Sequence, residues 1–426
     1  MRRFLMIAYY YPPMGDGGVF RSLKFSRYLP EHGWAPVVLC GEAGDYWVRD
    51  ESLMDQVPAE AELHPLAGLT GLGILRRLGG RASISQKGRR SSGRYGLLRK
   101  LSDFLLFPDS YAGWARPALR RGRELLAAGD IDLIYSTGPP DTVHRVGARL
   151  SRETGLPWVA DFRDLWYNLH LKRPPTPWHR RRHERAEAEV LARAGVVTVT
   201  EGWRRLLEKR GGRPVTLIRN GFDPADFEGI EESEPEGEEI VLLHTGKLSL
   251  DRSALPFLKG LRTFLDMRPD LEGVLKVDFL GPHESANEML LGELGLEGQV
   301  RFAGSLPHRE ALRRQRGADL LLILQQTEAR YRDLVPGKFY EYAGAGRPVL
   351  AVAPPGELTG LVEQYRLGWS ARPEPGAVAR ALDEALSHIG RGWRPTPGDL
   401  SPLTRPWQAA RLAELFDGLL AGKGRS

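Results

Sequence analysis

Lys338 and Glu341 stand three positions apart behind Pro336 and Gly337, in a run that reads P-G-K-F-Y-E-Y-A-G-A-G-R-P-V-L-A from 336 to 351. Proline and glycine suit a helix start, where a missing or free backbone N–H costs nothing extra. The spacing therefore predicts a helix from Gly337 to about Gly344, with both side chains on one face near the positive end of its dipole. An ionised carboxylate is favoured there and offers two acceptor oxygens, enough for two neighbouring hydroxyls of a ribose. The ammonium can meet a phosphate as a point charge. The same pair also reads as an ordinary helix-surface ion pair worth a few tenths of a kcal/mol, and spacing alone does not separate the two.

Three other groups have chemical potential. Pro12 to Gly18 is a glycine-rich loop before a predicted helix, with Arg21 in its first turn, where free N–H groups at Gly17 and Gly18 can cradle an anion. It is not a dinucleotide fingerprint, because the third glycine position is Phe20. The run Trp158 to Trp166 places Asp161, Arg163 and Asp164 at the end of an apolar strand; Asp161 and Arg163 share one side of an extended chain, so they either pair or face a cleft together. Thr245-Gly246-Lys247-Leu248-Ser249 follows another apolar strand, with Arg252 beyond it, and is no Walker-type phosphate loop. His144, His244 and His283 have no metal-ligand spacing, so a zinc site is not expected.

These groups need strands and helices to hold them. In the first half, apolar runs at 4–10, 36–40, 133–136, 158–161, 196–200 and 215–218 read as buried strands, and helical periodicity marks 19–29, 142–153, 179–194 and 203–209. The alternation predicts one doubly wound α/β domain. After the turn Asn220 to Pro224 and an acidic, linker-like stretch at 231–239, a second series begins. Its strands are predicted at 240–244, 275–280, 300–302, 320–324, 349–352 and 369–371, with helices at 254–266 and 309–316. Trp407, Ala410, Leu412, Leu415 and Leu419 mark a terminal amphipathic helix. The expected organisation is a domain at 1–222, a second at 223–400 and a helix at 401–426 packing back toward the first.

At 426 residues with 42% hydrophobic content, the chain fits two domains better than one core. No apolar stretch reaches the roughly 18 residues of a membrane span, and the single cysteine, Cys40, cannot form an intramolecular disulfide. A cytoplasmic protein is expected. The net charge of +6 hides an asymmetry: residues 1–220 hold 36 Lys+Arg against 23 Asp+Glu (+13), leaving 24 against 31 (−7) for 221–426. Nine of those cations lie in 76–100, without an acid, and a second cluster includes Lys172, Arg173, Arg180, Arg181, Arg182 and Arg185. An anionic membrane surface or a lipid-pyrophosphate acceptor suits such a face. Nucleic acid is not expected, because interleaved aromatic platforms are lacking.

The segment 336–348 resembles the donor-binding motif of family 4 glycosyltransferases, whose bacterial members read Pro-x-Lys-x-Tyr-Glu-Tyr, then small residues and Gly-Arg/Lys-Pro-Val; every one of those positions is filled here. The family carries a second acid eight positions before the glutamate, which falls on Asp333, a shorter side chain than usual. Asp161-Phe162-Arg163-Asp164-Leu165-Trp166 is similar to the family's Asp-x-Arg-Asp-x-Trp segment, with Arg163 where many members have histidine.

The resemblance implies a GT-B fold of two facing Rossmann-like domains. It also implies a retaining, metal-independent transfer, of hexosyl or N-acetylhexosaminyl type, from a nucleoside-diphosphate sugar, which is a substrate rather than a cofactor. Carried over residue by residue, Glu341 and Gly246 bind the donor with Gly17 and Gly18. Lys247, Arg252 and Lys338 meet the diphosphate, and Asp333 meets the sugar. Asp161, Arg163, Asp164 and Arg21 serve the acceptor side, for which a lipid-linked or polysaccharide acceptor at the inner membrane face is expected. A nucleotide-sugar epimerase on the same fold and a non-catalytic glycan- or membrane-binding protein are the rival readings.

Overall fold

The computed structural model describes residues 1–15, 17–46, 48–68, 104–166, 174–231, 239–248, 253–283 and 285–423. The basic run 76–100, Lys172, Arg173, most of the acidic stretch 231–239 and the expected diphosphate ligand Arg252 lie outside them. The chain divides into two compact units, one containing the described residues of 1–220 with 405–423, the other those of 221–404.

In the first unit the chain runs β1 (Arg2–Ile7), α1 (Phe20–Tyr28), β2 (Trp34–Gly41), β3 (Glu62–Leu66), α2 (Ala115–Ala127), β4 (Leu133–Gly138), α3 (Thr142–Thr154), β5 (Trp158–Phe162), α4 (Pro177–Arg193), β6 (Gly195–Thr198), α5 (Glu201–Gly211) and β7 (Val215–Leu217). The strands form one sheet in the order β3-β2-β1-β4-β5-β6-β7, and every pairing is parallel. Both faces are covered, so the strands read as continuous apolar runs rather than alternating ones. Along β1, Leu5 and Ile7 join the core on one face, with Ile134, Ala160 and Val196. Phe4 and Met6 join the other, with Tyr135, Val159 and Val197. Strand order reverses between β1 and β4, and in doubly wound sheets ligands bind outside the carboxyl ends at such a point.

The second unit runs β8 (Ile240–Thr245), α6 (Leu255–Met267), β9 (Leu275–Leu280), α7 (Ser285–Leu294), β10 (Val300–Gly304), α8 (His308–Arg316), β11 (Leu320–Leu324), α9 (Gly337–Ala345), β12 (Val349–Val352), α10 (Glu357–Gln364), β13 (Gly368–Ala371) and α11 (Pro375–Ile389). Its six parallel strands are ordered β10-β9-β8-β11-β12-β13, with the reversal between β8 and β11. Here too the strands separate two cores: Leu242, Leu320 and Leu322 face α6 and α11, while Leu243, Leu321 and Ile323 face α9 and α10.

The last helix, α12 (Arg405–Lys423), belongs to the first unit. Its Ala409, Leu412, Ala413 and Phe416 close the face made by Phe4, Met6 and Tyr135. The Phe416 ring lies 5.1 Å from that of Trp34 and 5.3 Å from that of Phe4, and Asp417 accepts from the Trp34 indole at 3.2 Å and from Arg2 at 2.6 Å. Among the described residues no helix is long and apolar enough to cross a membrane.

Candidate functional site

In the second unit the sequence-marked residues gather at the carboxyl edge where β8 and β11 part. Pro336 is the N-cap of α9, so Lys338 and Glu341 lie in its first turns. Lys338 is anchored from below: its Nζ lies 2.8 Å from Nε2 of His244, and the other ring nitrogen, Nδ1, lies 2.9 Å from the Leu322 carbonyl. Since a carbonyl can only accept, Nδ1 carries the proton and Nε2 is left as the acceptor for the ammonium. His244 is wholly buried and neutral in this arrangement, so it fixes the lysine without opposing its charge.

The turn after β8 is built around that ammonium. Gly246 has φ +115°, and a Cβ at this position would stand 3.0 Å from Lys338 Nζ, so only glycine allows both the backbone conformation and the contact. Lys247 follows, exposed. Thr245, the last residue of β8, is fastened by its N–H to the Tyr342 hydroxyl at 2.8 Å. Buried Gln315 donates to the Thr245 hydroxyl at 3.2 Å and to Glu341 Oε2 at 3.3 Å. His308 lies 3.6 Å from Glu341 Oε1. Burial pushes the Glu341 carboxyl up, but the hydrogen bond and charge of His308, with Gln315 and Lys338, prevail and hold it below the ordinary glutamate range. An ionised carboxylate is thus presented at the helix start, with a third of its side-chain surface open.

Asp333 sits on the loop between β11 and α9, 40% exposed and 3.9 Å from the Arg332 guanidinium. Two fixtures shape this loop. Gln325, buried at the end of β11, donates to the carbonyls of Tyr331 at 2.6 Å and Leu334 at 3.0 Å. The N–H of Glu357 meets the Arg332 carbonyl at 2.8 Å, and a Cβ on Gly356 would come within 2.2 Å of that oxygen.

The carboxyl edge of the first sheet is organised differently. Arg21 and Asp161 are paired bidentately at 2.8 and 2.9 Å, and are 2% and 0% exposed. The remaining Arg21 donors reach the carbonyls of Ile218 and Arg219, while Tyr135 and Thr137 donate to Asp161. Burial pushes the Asp161 carboxyl up, and Arg21 with these hydrogen bonds outweighs it and holds the group below the ordinary aspartate range. The acceptor-binding expectation for Asp161 and Arg21 is therefore corrected: their polar atoms are spent on each other and on the core, and they tie α1 to β5. Nor do Asp161 and Arg163 pair or face outward together. Arg163 grips the Gly138 carbonyl at 3.1 Å, the Pro139 carbonyl at 2.9 Å and the Gly18 carbonyl. It thereby holds the glycine loop after β1 against the loop after β4. Asp164 is half-buried beside it, and Gly17 has open space around its α-carbon. What this edge presents is Gly17–Gly18 backbone braced by an arginine.

Sequence reasoning weighed His244 only as a metal ligand and gave no role to His308, Gln315, Gln325 or Tyr342. A signal existed for two of them: His244 and Gln325 are polar residues at the carboxyl ends of the apolar runs in β8 and β11, where packing gives no reason for them.

Residues 17–221 match the family described as glycosyl transferase 4-like domain. That segment is a glycosyl transferase 4-like domain. The two Rossmann-like units have the GT-B fold of solved structures. A glycosyltransferase from Rickettsia africae superposes with a TM-score of 0.66 at 12% identity, covering 98% of each chain. Anabaena HepE in complex with UDP gives 0.59 at 15%, covering 100% of this chain and 99% of its own. Sucrose-phosphate synthase from Thermosynechococcus elongatus gives 0.59 at 14%, covering 100% and 98%. No curated protein matches the chain. The family match falls almost wholly within the first unit, and the Lys338–Glu341 site lies in the second.

Proposed function

We propose that the protein transfers a hexosyl or N-acetylhexosaminyl group from a nucleoside-diphosphate sugar to an acceptor, with retention of configuration and without a metal. The observation that carries this reading is the Lys338–Glu341 pair at the switch point of the second sheet, one ammonium and one ionised carboxylate held a helical turn apart. Glu341 accepts from the ribose hydroxyls. Lys338 and Lys247, with Arg252, neutralise the departing diphosphate, and Gly246 lets the backbone come close to it. Asp333 meets the transferred sugar. The Gly17–Gly18 backbone, positioned through Arg163 and the Arg21–Asp161 pair, adds N–H donors for an anionic group, and Asp164 lies beside it for the acceptor. Retention follows from attack on the face the diphosphate leaves.

A uridine donor is favoured because the structural neighbour HepE was solved with UDP and with UDP-glucose. A lipid-linked or polysaccharide acceptor, used in cell-surface glycan synthesis at the cytoplasmic membrane face, fits the basic first half of the chain.

A panel of UDP-, GDP- and ADP-sugars in the presence of a chelator tests the reading, with nucleoside diphosphate release and thermal shift as readouts. One donor is expected to release diphosphate. Glu341→Ala and His244→Leu should each reduce that release by about a hundredfold or more, because each removes or loosens a preorganised group. Release that needs an added divalent cation would defeat the metal-independent mechanism. An absent response to every nucleotide would defeat the transferase reading.

A further inference from the structure

The chain leaves eight large apolar side chains exposed among the described residues, and three of them are neighbours: Phe104 (50%), Leu105 (66%) and Trp178 (61%). Phe104 and Trp178 flank one buried imidazole, that of His179, each at 4.8 Å between ring centroids. The same histidine sews the two segments together, with Nε2 3.0 Å from the Phe104 carbonyl and Nδ1 2.8 Å from the Thr176 hydroxyl. These side chains are thus held outward by a buried hydrogen-bonded post.

Among the described residues around the patch, cations outnumber acids. The first turns of α4 carry Arg180, Arg181, Arg182 and Arg185, all exposed, against a single exposed acid, Glu184, which pairs with Arg180. Arg182 lies over the rings of Phe107 at 4.0 Å and Trp178 at 5.2 Å, keeping its guanidinium level with the aromatic patch. An indole and a phenyl ring flanking one imidazole, with an aliphatic side chain and several arginines, match the chemistry of a bilayer interface, where rings enter the headgroup region and cations meet lipid phosphates. The patch also lies at a meaningful edge. The chain leaves β5 at Phe162 and begins α4 at Pro177, so the first turn of that helix stands at the carboxyl edge of the sheet, on the side of Gly18 and Arg163.

We infer that Phe104, Leu105 and Trp178, ringed by Arg181, Arg182 and Arg185, form a docking surface for an anionic phospholipid bilayer. The surface brings the carboxyl edge of the first sheet to the lipid, where an acceptor carried on a lipid would be met. It rests on the lipid-acceptor part of the proposed function, but its test needs no donor.

Full-length protein is sedimented with vesicles of phosphatidylcholine alone and of phosphatidylcholine mixed with phosphatidylglycerol. Binding is expected only to the second, weakening as salt rises. Phe104→Ser/Leu105→Ser/Trp178→Ser should reduce it by about tenfold or more, and Arg181→Gln/Arg185→Gln should reduce its salt dependence. Met289→Ser, which removes an equally exposed side chain from the second unit, should bind like the parent. Thermal melts of the variants establish that they fold. The inference is overturned if the triple variant binds as the parent does, if neutral vesicles bind equally well, or if neither vesicle binds. Single-stranded RNA binding that survives the triple variant, with vesicle binding absent, would assign the arginines to nucleic acid instead and overturn it too. Vesicle binding with no thermal response to any nucleotide would sink the transferase reading and leave the docking surface standing.

Discussion

His144 has its charge decided by its surroundings. It is wholly buried at the start of α3, stacked on Phe162 at 4.7 Å, with Nδ1 2.9 Å from the Ser136 hydroxyl. Burial dominates and pushes its pKa from 6.5 down to about 3; the nearby Asp161 carboxylate opposes the shift and Arg163 adds to it. Between those values the unfolded chain binds a proton that the folded chain refuses. Stability is therefore fully present above pH 6.5 and falls as the pH descends toward 3. The depressed carboxylates Asp161 and Glu341 act in the same direction, but below the ordinary carboxylate range. The melting temperature of the parent should drop from pH 7 to pH 5, and His144→Asn, which keeps a polar atom near Ser136, should flatten that slope. An unchanged slope would mean that another group takes up the proton. The identity of these residues was legible in the sequence while their partners were not: Asp161 and Arg163 are two positions apart, yet the partner of Asp161 is Arg21, 140 positions away.

The elements differ in how openly they were written. The strands of the second unit appear as apolar runs, and those at 275–280, 320–324 and 349–352 keep the bounds read from the sequence. The strand Glu62–Leu66 escaped notice because it is a half-exposed edge strand containing Pro65, tolerable only at a sheet margin. Helix α11 was passed over because Ala379, Ala381 and Ala385 blur the stripe of Val378, Leu382 and Leu386. The loop from Gln325 to Pro336 gave least away, since its shape comes from side-chain-to-carbonyl bonds that no periodicity reports. Replacing Gln325 by leucine leaves the carbonyls of Tyr331 and Leu334 without their buried donor, which should cost about 1–3 kcal/mol of stability. With Asp333 on that loop and Lys338 and Glu341 outside it, turnover should fall about tenfold or more while UDP affinity changes little. Equal losses in turnover and affinity, measured by steady-state kinetics and calorimetry, would remove Asp333 from the sugar's surroundings.

For the molecule as a whole, α12 is the element that joins distant parts of the sequence. Phe416 is fully buried among Phe4, Trp34 and Tyr135, so Phe416→Ala should lower unfolding free energy by about 3–5 kcal/mol. Because the helix covers the first sheet, that loss should appear in the first unit's transition. Hydrogen exchange should quicken in β1, β2 and β4 and stay near parental rates in β8 and β11; equal acceleration in both sheets would show that the two units unfold together.

The same helix sets an order of events on the ribosome. Residues 1–220 are synthesised first, but the helix that covers Phe4, Met6 and Tyr135 follows only after 221–404. At about 5–20 residues per second, roughly ten to forty seconds pass with part of one face of the first sheet, beside α1, still uncovered. Such exposed apolar surface is an aggregation hazard until α12 emerges and packs onto it.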